Sequence, residues 1–200
     1  MEDYHGWAIE LRQRSDTAGR PWVIFGDEQP PADVGVKPDA ADPAHDVPRI
    51  EALWGNLLGG GAGVEWYFGY KFPHMDLNCE DWRSRANMWK QTRFALEFFH
   101  QYLPFHEMQP DNQIIRSRRG ARVFSKKGEI YAIQIPPGAV GEPRLNLEPG
   151  SYTVDWYNPR EGGPLAKGSV AQLNGPGYQE LGRPPADPQK DWIVLVRAAK

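Results

Sequence analysis

Apolar residues recur along this chain in two rhythms, and the change between them falls near the middle. In the first half the spacing is helical, interrupted by short continuous apolar runs. Trp7, Ile9 and Leu11 sit among charged residues between Asp3 and Ala18, which predicts an amphipathic helix ended by Gly19. The run Trp22–Phe25 (WVIF) reads as a buried strand. Ile50, Leu53, Trp54, Leu57 and Leu58 follow at i, i+3, i+4, i+7 and i+8, one face of a second helix. A second apolar run, Ala62–Phe68, comes next, and strand, loop, helix, strand predicts a βαβ unit with parallel strands. From Trp82 to Tyr102, one stripe (Trp82, Ala86, Trp89, Leu96) runs beside another (Met88, Ala95, Phe99, Tyr102), so this long helix should be buried on two sides.

Beyond the proline-bearing segment Leu103–Ile115, which reads as a linker, the rhythm changes to period two. Tyr131, Ile133 and Ile135 alternate, as do Val154 and Trp156, and Ile193 and Leu195. The runs Arg122–Ser125, Glu129–Ile135, Arg144–Leu147, Ser151–Tyr157, Ser169–Leu173 and Asp191–Arg197 are separated by Gly, Pro and Asn clusters, with turns expected at Gly162-Gly163 and Gly175–Gly177. Short strands at such spacing predict a small antiparallel β-sandwich. The expected organisation is therefore an α/β part, residues 1–106, followed by an all-β part, residues 107–200.

In a βαβ unit, functional groups collect at the carboxyl ends of the strands. Glu28 lies there on the first strand, and alternation gives it the face of Ile24 and Gly26 and sends Asp27 to the other. On the second strand Glu65 and Tyr67 separate from Val64, Trp66 and Phe68, and a carboxylate facing helices without a partner would be costly. Glu28 and Glu65 are thus expected in one cavity as catalytic candidates, with Tyr67 and Tyr70 beside them as substrate contacts. The loop after this strand adds His74 and Asp76. Alternating His74, Asp76, Asn78 and Glu80 have a spacing that can hold Ca²⁺, but they lack the EF-hand pattern, and Asn78 with Asp81 also matches a helix start. In the long proline-bearing loop 29–48, Asp46 is placed to cap the following helix. Gly59–Gly63 (GGGAG) lacks the Lys-Ser/Thr ending of a phosphate loop and precedes a strand, so it reads as a helix cap and tight turn.

Composition narrows the classes. With 23 basic and 26 acidic residues the net charge is −3, which offers no argument for nucleic acid or an anionic membrane as partner. Cys79 is the only cysteine, excluding an intrachain disulfide and a cysteine metal cluster. No cofactor or metal is expected, no apolar run approaches a membrane helix, and MEDYHGW is not a signal peptide. Eight tryptophans and eight tyrosines permit surfaces that stack on sugar rings.

The phrases GDEQPPADVG, LWGNLLGGGAGVEWYFGY and DLNCEDWRSR resemble the closing strands of a glycoside-hydrolase-like (β/α)8 barrel, and more closely the large apiosidase-like proteins of bacteria. The phrases SKKGEIYAIQIP, SYTVDWYNPREGG and KDWIVLVR resemble the domain labelled collagen-binding that follows that barrel. Together the matches cover nearly the whole chain. A complete barrel of this kind takes about 250 residues, so the resemblance implies an incomplete barrel segment with an accessory sandwich, and a chain inactive by itself. It places Glu28 at the seventh strand's end as nucleophile, with the acid/base residue on an absent fourth strand and Glu65 as a stand-in. It further implies a carbohydrate substrate and a secreted or periplasmic parent. In the sandwich, Trp156, Tyr157, Arg160 and Tyr178 are candidate contacts for an extracellular polymer, glycan or collagen. A bracing role for the sandwich, through Phe99, Tyr102 and Phe105, is the non-catalytic alternative.

Overall fold

The computed structural model describes residues 3–28, 31–139 and 143–199. It divides into two compact units, Met1–Leu96 and Glu97–Lys200.

The first unit opens with α1 (Tyr4–Thr17), whose first turn is capped by Asp3: its carboxylate accepts from the Gly6 amide at 3.0 Å. Two very short strands, β1 (Phe25–Gly26) and β2 (Gly63–Val64), pair in parallel. Between them Pro48–Trp54 forms a π-helical stretch that continues as α2 (Gly55–Leu58), and Ile50, Leu53, Trp54, Leu57 and Leu58 are all buried. A 3₁₀ turn, Trp82–Arg85, leads into α3 (Ala86–Tyr102), which runs across the division between the units.

Several expectations for this unit are corrected. It is not a segment of a (β/α)8 barrel, because its parallel ladder is two residues long and only three α-helices occur among the described residues. The apolar run WVIF is not a doubly covered strand. Ile24 is buried, whereas Trp22 is 65%, Val23 74% and Phe25 57% exposed. Asp46 does not cap a helix. Its carboxylate accepts from Arg49 Nη2 at 2.6 Å, and Asp39, which accepts from the Asn87 amide at 3.0 Å, receives His45 Nε2 at 2.7 Å instead. Nor is Asn78 the cap of the long helix; Asp81 is, accepting from the Arg83 amide at 3.0 Å.

The second unit is built on one antiparallel sheet of seven strands: β3 (Gln109–Pro110), β4 (Ile115–Arg116), β5 (Arg122–Lys126), β6 (Ile130–Ile135), β7 (Arg144–Tyr157), β8 (Gln172–Glu180) and β9 (Trp192–Ala198). The order is β3-β5-β6-β9-β7-β4, with β8 on β7. The predicted sandwich is therefore replaced by a single curled sheet. The reason lies in β7, whose 14 residues join two predicted strands. Its start pairs with β4 and its end with β9, while β8 follows it on the other edge through a register shift between Leu147 and Gly150. The expected turn at Gly175–Gly177 is absorbed into β8, opposite that shift. A Cβ on Gly175 would clash with the Glu148 carbonyl, so the glycine is needed for close backbone approach, not for reversal.

Inside the curl, Val123, Tyr131, Ile133, Leu145, Val154, Trp156, Val194 and Val196 belong to one buried cluster. The alternate residues of β6 and β9 are buried too, among them Ala132, Ile193 and Leu195. On this opposite face Phe98, from the last turns of α3, lies 4.8 Å from Tyr157, and Phe99 lies 6.1 Å from Phe124.

Candidate carboxylate site at the ends of β1 and β2

Register decides which acids meet. Phe25 pairs with Gly63 and Gly26 with Val64, so the next residues, Asp27 and Glu65, stand side by side. The ladder is completed by the Ala62 amide donating to the Ile24 carbonyl at 2.7 Å and the Glu65 amide to the Gly26 carbonyl at 2.9 Å. Beneath it lies Asn56, which is buried. Its amide, oriented to satisfy both neighbours, donates to the Gly63 carbonyl at 3.0 Å and accepts from the Gly26 amide at 3.3 Å. Gly61 leaves the room this needs, since a Cβ there would fall 2.0 Å from Asn56 Oδ1. Tyr4 of α1 reaches across to donate to the Glu28 carbonyl at 3.3 Å. Glu28 itself has φ +34°, a conformation non-glycine residues seldom adopt.

The Glu65 carboxyl is hydrogen-bonded to Asp27, and this contact raises its proton affinity most. The Asp27 charge adds to the effect, followed by partial desolvation and the charges of Glu28 and Asp76. The Tyr67 phenol is also shifted upward, first by desolvation and then by Asp76, Glu28, Tyr70 and Asp33, and its hydroxyl donates to the Ala32 carbonyl at 2.6 Å.

The other sequence candidates divide into groups facing the acids and groups that shape the loop. Tyr70 is exposed, and its amide donates to the Asp33 carbonyl at 3.1 Å. Asp76 Oδ2 accepts from the amides of Phe68 at 2.7 Å and Gly69 at 3.0 Å, which fixes the turn after β2. His74 Nδ1 lies 3.5 Å from Glu80 Oε2. With Asp76 committed to backbone amides, the Ca²⁺ reading of this loop loses its central ligand, and no group of three or more His, Cys, Asp or Glu among the described residues is arranged to hold a metal.

Two important residues, Asn56 and Arg85, carry no expectation from the sequence, and Asp27 is expected there only on the opposite face. Asp27 was assigned to the opposite face because alternation was counted through Glu28, although the ladder ends at Gly26. Arg85 is fully buried, donating through Nε to the Val36 carbonyl at 3.1 Å and through Nη1 to the carbonyls of Pro73 at 2.9 Å and His74 at 3.1 Å, with its guanidinium 4.4 Å from the Phe68 ring centroid.

Among the sheet candidates, Trp156 is core, packed edge-on to Trp192 at 6.2 Å. Tyr157, expected at the surface, is buried against Phe98. Arg160 is clipped to the Asp191 carbonyl, 5.0 Å from the Trp192 ring. Arg160 and Tyr178 both retain partial exposure, and the Arg116 guanidinium lies 3.8 Å from the Tyr178 ring centroid.

No protein-family model matches this chain, and comparison with curated proteins also finds no match. Solved structures do match. A glycoside hydrolase structure shares 12% identity at a TM-score of 0.67, covering 96% of this chain and 46% of that one. A glycoside hydrolase family 5 protein from Bacteroides vulgatus shares 13% identity at a TM-score of 0.64, covering 95% of this chain and 44% of its own. The fold is therefore glycoside-hydrolase-like, and the chain spans less than half the length of each of these proteins. Neither match shows a collagen-binding domain.

Proposed function

We propose that this protein serves in the hydrolysis of a glycosidic bond, with Glu65 as proton donor and Glu28 as the second carboxylate. The observation that carries this reading is the placement of Asp27 beside Glu65 at the carboxyl ends of two parallel strands, where the neighbouring carboxylate raises the proton affinity of Glu65. Glycoside cleavage needs one carboxyl that keeps its proton and another that has lost it. An acid whose proton affinity is raised by a neighbouring carboxylate fits the first role, and Glu28, close enough for its charge to act on Glu65, is the candidate for the second. In this scheme Glu65 protonates the leaving oxygen, while Glu28 supports the developing positive charge at the sugar carbon by direct attack or by activating water. Asp27 raises the proton affinity of Glu65 and so favours its acid form. Tyr67 and the exposed Tyr70 contact the sugar in this scheme, and Asp76, accepting from the Phe68 and Gly69 amides, fixes the turn between them. The fold likeness to glycoside hydrolases supports the same class of substrate, a carbohydrate.

The test compares Glu65→Gln with Glu28→Gln on alkyl glycosides, which need protonation of the leaving group, and on activated aryl glycosides, which need it far less. Loss of general acid catalysis should cost about 10²–10⁴-fold on the former, with a much smaller loss on the latter. Equal losses on both substrates would remove Glu65 from the acid role. A readout independent of turnover is carboxyl titration by carbon NMR: Glu65 should titrate above its ordinary value, and Asp27→Asn should bring it down.

A further inference from the structure

We propose that the end of the sheet around the β4–β5 turn is a binding surface for an acidic glycan, one bearing uronate carboxylates. Arg116 closes β4, Arg122 opens β5, and Arg118 and Arg119 occupy the exposed turn between them. Arg144, at the start of β7, is the register partner of Arg116, so a fifth guanidinium stands beside the first.

Of these, Arg144 lies 2.5 Å from the Glu180 carboxylate. No ion pair engages Arg116, Arg118 or Arg119 among the described residues, although the chain as a whole carries a net charge of −3. A local excess of positive charge on an acidic protein is unfavourable to gather without a complementary partner.

Two of the arginines are held in place. Arg116 is stacked 3.8 Å from the Tyr178 ring centroid, which leaves its edge donors turned away from the ring. Arg122 donates to Gln134 Oε1 at 3.0 Å. Guanidinium groups present a planar fork that matches a carboxylate, and a row of them fits an anion repeated along a chain. The choice of a glycan among polyanions rests on the carbohydrate function proposed above. It also agrees with the overall negative charge, which disfavours a nucleic acid running beyond the patch.

The experiment is affinity electrophoresis of the whole protein in gels containing polygalacturonate, neutral dextran, or a single-stranded oligonucleotide, with Arg118→Gln/Arg119→Gln as the variant. Both side chains are exposed, so the variant should fold as the parent does. Polygalacturonate should retard the parent, and added salt should relieve the retardation. The variant should bind about tenfold more weakly, by analogy with the loss of charge-assisted contacts. Equal retardation by dextran, an unchanged variant, or tighter retention by the oligonucleotide would each overturn the proposal. Glycoside hydrolysis is measured on the same variant. Arginine-dependent binding without any hydrolytic activity would leave this surface standing and remove the proposed catalysis, and the reverse result would do the opposite.

Discussion

Loss of Arg85 should cost the first unit heavily, and the structure allows the cost to be worked out. Replacing it with methionine keeps an unbranched chain in the space beside Phe68 but removes the hydrogen bonds to three backbone carbonyls and to Ser84 Oγ. The Val36 carbonyl, in a buried segment, would lose its Arg85 donor, whereas Pro73 is exposed and His74 partly so. A buried acceptor left unsatisfied costs about 1–3 kcal/mol, and each of the two partly wetted bonds contributes about 1 kcal/mol. Burial already lowers the proton affinity of Arg85, so removing the charge recovers part of its desolvation. The net loss should be about 2–4 kcal/mol, a large share of the roughly 5–15 kcal/mol that stabilises a typical domain. Trp54, Trp66, Trp82 and Trp89 all lie in this unit and report its unfolding by fluorescence in urea. Limited proteolysis should in addition cut the 69–81 loop earlier than in the parent. Lysine at this position cannot span Val36 and the Pro73–His74 pair together, so Arg85→Lys should fall between the two. A loss below about 0.5 kcal/mol in Arg85→Met, within the range of ordinary surface changes, would refute the idea that this guanidinium ties the loops together.

Three further outcomes are expected. Glu65 binds its proton more tightly folded than unfolded, so the stability it contributes is present at low pH and is lost as pH rises through the raised value. Glu65→Gln should therefore melt higher than the parent near neutral pH, with the gap closing towards pH 4.5 in thermal scans across pH. Burial pushes the Tyr131 phenol up to about 12, and its oxygen accepts from the Gly128 amide at 2.7 Å. Relative to Tyr131→Phe, the parent should lose about 2–3 kcal/mol as pH rises from 10 towards 12, measured by urea melts of both proteins. Phe98 is fully buried, 4.8 Å from Tyr157 and 5.5 Å from Tyr102, and Phe98→Ala should cost the sheet unit about 3–5 kcal/mol by chemical denaturation.

How much of this was legible in the residues depends on whether local pattern or pairing decided the outcome. Period-two runs located β5, β6 and β9 to within a residue or two, because one face of each is committed to the core. The same runs could not show that Arg144–Leu147 and Ser151–Tyr157 are one strand, since the connection is a register shift against β8 and not a turn. That single misreading turned a curled sheet into a sandwich. In the first half, WVIF looked buried because apolar runs of this length commonly are. With β2 as the sole hydrogen-bonded neighbour of β1 among the described residues, most of the run faces outward. Arg85 gave no signal at all, because a charge near a helix start looks solvated until three carbonyls from distant loops converge on it.

The acids carry the same lesson into chemistry. Counting alternation along one strand assigned Glu28 and Glu65 to a common hollow and excluded Asp27. Pairing across two strands makes Asp27 the direct neighbour of Glu65, and the backbone of Glu28 leaves the extended region altogether. The raised proton affinity of Glu65 therefore traces first to a residue whose importance only the register reveals. If Glu65 is the acid, Asp27→Asn replaces a carboxylate that raises its proton affinity with a neutral amide, so the Glu65 titration must move down and any acid-dependent rate must shift its alkaline limb in the same direction. Glu28→Gln removes a weaker charge from the same surroundings and should move that limb less. The order of those two shifts follows from which carboxylate touches Glu65 and which only lies near it, so a larger shift from Glu28→Gln would mean that the side chains meet in the arrangement alternation predicts and not in the one the strand register imposes.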